Sequence, residues 1–418
     1  MNLYSITFIY LFSLFFQPVV AQEEASESDK KPKESNKVAS PVGAVDAGLP
    51  IKIRQTSIKA LLIREITDGE YGASVSKLTA SVLPSSNKDK PMSTELNQAV
   101  GESMIKSFAA VNKGMFLKHN GWPTGEGLTI SFADKHGGKD GPSAAVAYSL
   151  LLESIFSGKE LRQDLACTGD MNSDRTVQPI GGVIDKIRAA KKAGCSYVLI
   201  PEKNVPALMD AAIDGEVELL TSIQIISVKD LDQAMKVAFK GLDEDTTKAL
   251  AAYDEIQEEL KNKGKSALKK AAVFKQIAIT GRAMKNHQSA LIAAYYKLDR
   301  LPKHYSVLGS FSRINKATAP FVNKKHGLGS VDRYAHSDAH KEAIRSIGKI
   351  QSKVHPKIHK FALKVRTYIG LHRELLSAKH GVNVDSPLHK KFKKALLELE
   401  EEEKKMMEDP DIKDSLAE

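Results

Sequence analysis

Residues 139–147 read Lys139-Asp140-Gly141-Pro142-Ser143-Ala144-Ala145-Val146-Ala147. The Gly141-Pro142 pair turns the chain and delivers Ser143 to the start of a helix predicted over Pro142 to Phe156. Free backbone N–H groups and the helix dipole favour negative charge at such a start. Ala144, Ala145 and Ala147 leave little bulk close to the hydroxyl. A serine nucleophile needs this setting, because its attack on a carbonyl creates an oxyanion. Read alone, however, a serine in a first helical turn is ordinarily a capping residue.

A second stretch changes the weight of the first. Residues 179–194 read Pro179-Ile180-Gly181-Gly182-Val183-Ile184-Asp185-Lys186-Ile187-Arg188-Ala189-Ala190-Lys191-Lys192-Ala193-Gly194. Wound as a helix at about 100° per residue, Val183, Ile187, Ala190 and Ala193 share one apolar face, and Lys186 falls within it. Arg188, Lys192 and Asp185 point the other way. Burial disfavours an ammonium and lowers its pKa, so a lysine on that face can serve as a general base toward a serine hydroxyl. The plainer alternative is a lysine that snorkels along the helix edge to water.

Together the two stretches resemble the proteolytic domain of the Lon peptidases. That family carries a Lys-Asp-Gly-Pro-Ser-Ala nucleophile motif, here Lys139 to Ala144, and a Thr-Gly-Glu motif, here Thr168-Gly169-Asp170. Its Pro-Ile-Gly-Gly motif, here Pro179 to Gly182, leads into the helix that bears the catalytic lysine. Ser143 and Lys186 are 43 positions apart, and Ser143 and Thr168 are 25 apart, as in the family. The resemblance is clear from about Leu128 to Asn204 and weaker from about Ile51 to Lys240. It implies Ser143 as nucleophile, Lys186 as general base, Thr168 as a neighbour orienting the lysine, and Asp140 at the mouth of the site. The implied reaction is peptide hydrolysis through an acyl-enzyme, with backbone N–H groups near Ser143 holding the oxyanion.

Three departures stand out. Asp170 replaces the family's Glu, Ala145 replaces a usual Gly, and Met171 to Thr176 is more polar than its counterpart. They bear on the substrate groove and on the contacts by which Lon domains form rings, so specificity is not carried over and a homo-oligomer is no more than a suggestion of the family. Lon proteases also usually join this domain to an ATP-driven motor. The sequence has no G-x-x-x-x-G-K-[ST] motif, since Gly264-Lys265-Ser266 lacks the upstream glycine and has Glu259 in that place. There is also no room for a motor ahead of residue 50. The expected activity is therefore ATP-independent, on peptides or already unfolded proteins, with no cofactor and no metal. A reading from another class is a catalytically retired Lon-like scaffold whose helical half binds a polyanion or a protein.

Outward from the motifs, strands are predicted at Ala60 to Arg64, Ala73 to Val82, Leu128 to Phe132, Asp164 to Thr168 and Tyr197 to Ile200. Helices are predicted at Ser93 to Val111, with Ser93 as N-cap, and at Val183 to Ala193. The fold expected for residues 50–240 is α+β, a sheet-and-helix domain like the Lon proteolytic domain. Residues 241–418 read as a mainly helical, basic domain, with helices at 246–261, 266–298, 335–353, 357–378 and 387–408 and a loop around Leu308 to Ser330.

The net charge of +10 sits almost wholly in that second part: residues 1–240 sum to −1 and residues 241–418 to +11. An acidic partner or an anionic surface fits this asymmetry, as does a solvated lysine-rich helical surface. Its histidines His336 and His340, and His355 and His359, are four apart, with Asp338 and His372 as further donors, but no H-E-x-x-H motif occurs. Solvated histidines are the simpler reading.

Residues 1–21 read as a signal peptide. Leu3 to Phe16 is apolar, Gln17 and Pro18 break the run, and Val19-Val20-Ala21 forms a cleavage site. Its n-region lacks Lys and Arg, and an uncleaved anchor is the alternative reading. Export to the periplasm or the exterior is expected, with cleavage after Ala21. Residues 22–49 have the composition of a disordered linker. Cys167 and Cys195 read either as two buried thiols or as one bridge.

Overall fold

The computed structural model describes residues 35–41, 48–67, 70–134, 139–319, 333–377 and 385–417. The signal-peptide reading of residues 1–21 lies outside them. Contacts divide the chain into two compact units, residues 20–301 and residues 302–418.

The first unit is built on an eight-stranded mixed sheet of order β1-β4-β5-β3-β2-β6-β9-β10. Its first strands are β1 (Ser35–Val38), β2 (Gln55–Thr67), β3 (Glu70–Pro84) and β4 (Ser93–Val100). Then come α1 (Glu102–His119), β5 (Glu126–Phe132), a 3-10 turn over Pro142–Ala144 and α2 (Ala145–Ser157). The strand β6 (Leu165–Cys167) leads to a small hairpin of β7 (Asp170–Met171) and β8 (Val177–Gln178). The unit continues with α3 (Val183–Lys192), β9 (Tyr197–Pro201), α4 (Val205–Ile213), α5 (Val217–Thr221), β10 (Gln224–Val228) and α6 (Leu231–Ala238). Three more helices complete it: α7 (Glu244–Lys263), α8 (Ala271–Ala283) and α9 (Gln288–Lys297). A long antiparallel β2–β3 hairpin and the parallel set β2-β6-β9-β10 meet at β2.

Alternation along β2 makes the sheet two-faced. Ile58, Ala60 and Leu62 enter one apolar cluster with α1, α2 and α6, while Leu61 enters the other with α3, α4 and the later helices. The α+β class expected from the motifs is the class observed.

Several local expectations need correction. Ser93 to Val111 is not one helix, and Ser93 is not an N-cap. Thr94, Leu96 and Val100 alternate inward as β4, and the helix begins only after Gly101. Period-two burial against β5 outweighs the helical propensity of the run. Within the stretch read as linker, Ser35–Val38 pairs antiparallel with β4 and buries Val38. Residues 266–298 are broken where His287 caps α9, its ring accepting from the Ala290 N–H.

The compact unit that holds the sheet continues past residue 240 to residue 301. Tyr253, Ile256 and Leu260 of α7, Ile277 of α8, and Ile292 and Ala293 of α9 share a buried cluster with Ile187, Leu220 and Ile225. They are helical in pattern, as expected, but their apolar faces complete the sheet unit.

The second unit is helical: α10 (Val307–Thr318), α11 (Arg333–Ile350), α12 (Pro356–Ser377), α13 (Pro387–Glu408) and α14 (Pro410–Ala417). Its core contains Phe311, Ile347, Phe361, Val365, Tyr368 and Leu399. Helix α10, capped by Ser306, occupies part of the stretch expected to be a loop. Among the described residues, no helix is long and apolar enough to cross a membrane.

Candidate active site

Strand β6 ends at Cys167, so Thr168 and Gly169 emerge at the carboxyl edge of the parallel strands. Ligands of such sheets commonly bind at this edge. The Thr168 N–H still bonds the Leu199 carbonyl at 3.1 Å, which holds Thr168 in line with β9. Beyond it the chain meets the start of α2. The Gly169 N–H donates to the Ser143 carbonyl and the Val146 N–H donates to the Gly169 carbonyl, both at 3.1 Å. These reciprocal bonds lock the Ser143 turn onto the Thr168 segment.

Ser143 sits in the 3-10 turn ahead of α2 and is only 8% exposed. Among the described residues, no hydrogen bond takes up its N–H. Ala144, Ala145 and Val146 are fully buried behind it.

Lys186 enters from the opposite face. Gly182 starts α3 with φ 66, a left-handed value, and a Cβ there would come within 2.7 Å of Ile63 Cδ1. The left-handed backbone favours glycine there, whereas the Ile63 methyl end could shift. One turn later the Lys186 side chain is 1% exposed, and its Nζ donates to Thr168 Oγ1 at 3.2 Å. The Thr168 hydroxyl is within 3.3 Å of two carbonyl oxygens, those of Leu61 and Ser143, and gives its proton to them. It therefore meets the lysine with a lone pair. Desolvation by burial pushes the Lys186 pKa from 10.5 down to about 7. Among the described residues, no hydrogen bond joins Ser143 Oγ directly to Lys186; the link runs through Thr168 and the Ser143 backbone.

Asp140, expected at the mouth of the site, is exposed, and its carboxylate turns toward α1. It accepts from the Gly141 N–H at 2.7 Å and from the Met104 N–H at 3.2 Å. Asp170 accepts from the Ser107 hydroxyl at 2.5 Å, and burial raises its pKa despite that bond. Ser107 and Gly101 had no signal in the sequence, because nothing in the residues of a helix and its start announces a partner 63 or 39 positions away.

Cys167 and Cys195 are both buried and both free. They lie on opposite faces of the sheet, Cys167 in one apolar cluster and Cys195 in the other. Among the described residues, no group of three or more His, Cys, Asp or Glu side chains is placed to hold a metal ion. His340 departs from the solvated reading: it is fully buried, and its Nε2 lies 2.8 Å from His372 Nδ1. His355 precedes α12, because Pro356 opens that helix, so His355 and His359 do not share a helix face as an i, i+4 pair. The side chain of His336 lies outside the described residues.

A serine at a helix start is thus joined through a threonine to a desolvated lysine at the carboxyl edge of a sheet. Comparison with known proteins gives the class. Residues 69–241 match the family model of the Lon protease (S16) C-terminal proteolytic domain, and this segment is a Lon proteolytic domain, as its motifs implied. The chain is similar to the peroxisomal Lon protease homolog 2 of Homo sapiens, with 39% identity over 103 residues, and to that of Zea mays, with 38% over 103 residues. Each match covers 25% of this chain, and 12% and 11% of the two relatives. The chain thus spans about an eighth or less of the relatives it matches.

Proposed function

We propose that this protein is a serine-type endopeptidase that cuts peptides or unfolded proteins without ATP. Ser143 is the nucleophile and Lys186 the general base. One observation carries the reading: a fully buried lysine whose pKa is pushed down to about 7 and whose polar neighbour is a threonine bonded to the Ser143 backbone. Neutral lysine keeps one lone pair. With an N–H given to Thr168 Oγ1, that lone pair is free for the Ser143 hydroxyl proton.

Ser143 Oγ then attacks the peptide carbonyl, and its proton passes to Lys186 Nζ. The Ser143 N–H stabilises the oxyanion. The tetrahedral adduct collapses, the C–N bond breaks, and Lys186 returns the proton to the leaving amine. Water repeats the sequence on the acyl-enzyme and frees Ser143. ATP independence rests on the lack of a phosphate-binding loop within the 418 residues. Export is part of the proposal and rests on the apolar run Leu3 to Phe16 and the small residues before Gln22.

One observation favours a second reading, a scaffold without turnover: Ser143 Oγ and Lys186 share no direct hydrogen bond among the described residues. Catalytic contacts often tighten only when substrate binds, so the peptidase reading is preferred. Hydrolysis of unfolded casein without ATP decides between them. Activity in the wild type, lost in both Ser143→Ala and Lys186→Ala, supports the peptidase; no activity in any of the three supports the scaffold.

A further inference from the structure

Helix α1 starts without a cap of its own. Gly101 stands at the N-cap position in an extended conformation and has no side chain to accept from the first turn. The missing acceptor comes from 39 residues further along the chain. Asp140 Oδ1 accepts from the N–H of Met104, the third residue of α1, at 3.2 Å, where a capping side chain would normally bond. The carboxylate lies in the space that a side chain at 101 would fill, with Asp140 Cγ only 2.0 Å from an ideal Cβ there. The same oxygen accepts from the Gly141 N–H at 2.7 Å, and the Gly101 N–H donates to the Lys139 carbonyl at 2.8 Å. Two of these bonds tie Lys139 and Asp140 to the start of α1, the third closes Asp140 onto Gly141, and Ser143 follows two residues later.

Helix α1 also holds the other half of the site. Ser107, one turn beyond Met104, donates to Asp170, two residues past Thr168. The helix is a common brace for the turn that bears Ser143 and the segment that bears Thr168.

Building on the peptidase reading, we infer that Asp140 is a positioning residue. It caps α1 from a distance and thereby fixes the turn that aims Ser143 at Lys186. Gly101 is the vacancy that admits it. Asp140 touches neither substrate nor lysine in this role. Its loss leaves the substrate groove in place and misdirects the nucleophile, so turnover suffers and substrate affinity does not.

The test uses the full chain and two readouts: the rate at which a fluorophosphonate labels Ser143, and kcat and KM on an unfolded-casein peptide. Asp140→Ala is expected to slow labelling and lower kcat about 10- to 100-fold with KM changed less than about twofold. Asp140→Asn keeps an oxygen in place and should stay within about threefold of wild type on both. To separate aim from folding, the cap is moved to its usual position with Gly101→Asp combined with Asp140→Gly. That pair should regain the thermal midpoint lost in Asp140→Ala while labelling stays slow. Wild-type labelling in Asp140→Ala overturns the inference alone, as does a cap-moved pair that regains both stability and rate. A folded wild type unlabelled at Ser143 overturns the peptidase reading, and this inference with it.

Discussion

Lys186 Nζ lies 3.2 Å from Thr168 Oγ1 in a setting where both side chains are shielded from water. Thr168 is committed as a donor to the carbonyls of Leu61 and Ser143, so only a lone pair remains for the lysine. That polarity is satisfied by ammonium and amine alike. Burial makes the amine accessible near neutrality, with two measurable consequences, and His287 and the end of the sheet unit supply a third and a fourth test.

The first is a pH limb. Under the proposed mechanism Lys186 must be neutral to act as base, and its pKa lies at about 7 rather than 10.5, so kcat/KM should rise with pH through a midpoint near 7 and level off above it. Thr168→Val removes the acceptor for Lys186 and the donor for two buried carbonyls. It should lower kcat about 10- to 100-fold, whereas Thr168→Ser should lose less than about threefold. A midpoint near 10 in the wild type would contradict this placement of the lysine.

The second is a cost in stability. An unfolded chain holds the lysine proton up to the ordinary 10.5, whereas the folded chain releases it above about 7. The penalty is therefore fully present below pH 7 and fades as pH rises toward 10.5. Lys186→Met should stabilise the sheet unit at pH 7 by roughly 2–4 kcal/mol, and the gain should shrink at pH 10. Denaturant titration read at Trp122, the one tryptophan of the chain and fully buried, reports on this unit. No gain at pH 7 would mean that water reaches the ammonium.

The third concerns His287, far from the site in sequence. Its ring is buried, with Nδ1 accepting from Ala290 and Nε2 donating to Gln224 Oε1, 2.9 Å away. Desolvation pushes its pKa from 6.5 down to about 3. The unfolded state gains this proton first, so stability should fall as pH drops from 6.5 toward 3. His287→Ala should cost about 1–2 kcal/mol at pH 7 through the lost cap and flatten that decline, as read by thermal melts across the range.

The fourth concerns the boundary. A fragment ending at residue 240 uncovers Ile187, Leu220 and Ile225, which α7 to α9 otherwise cover. Residues 35–301 should unfold cooperatively, whereas residues 35–240 should aggregate or lack a sharp transition. Calorimetry on both fragments distinguishes these outcomes, and a sharp transition in the shorter one would restore the boundary at 240.

Much of the fold was readable because periodicity and punctuation act locally. The strands at Ala60 and Ala73, the α3 helix and the lysine on its apolar side all follow from residues within a turn or two of one another. Reading failed where a distant surface chose between local options. Ser93 to Val100 became a strand because β5 was there to receive it. The 266–298 run broke where β10 offered Gln224 to His287.

By itself the sequence determined which side chains could do chemistry. It set Ser143 after a Gly-Pro turn, Lys186 among Val183, Ile187 and Ala190, and Thr168 between them in order, and with them the domain class. Only the tertiary structure decided what those side chains experience. A lysine's charge state depends on how completely other segments exclude water from it. The acceptor that orients it comes from the end of another strand, and the carboxylate that holds the serine turn is shared with a helix 36 residues earlier. Desolvation and shared hydrogen bonds are sums over neighbours in space, and no pattern along the chain fixes who those neighbours are.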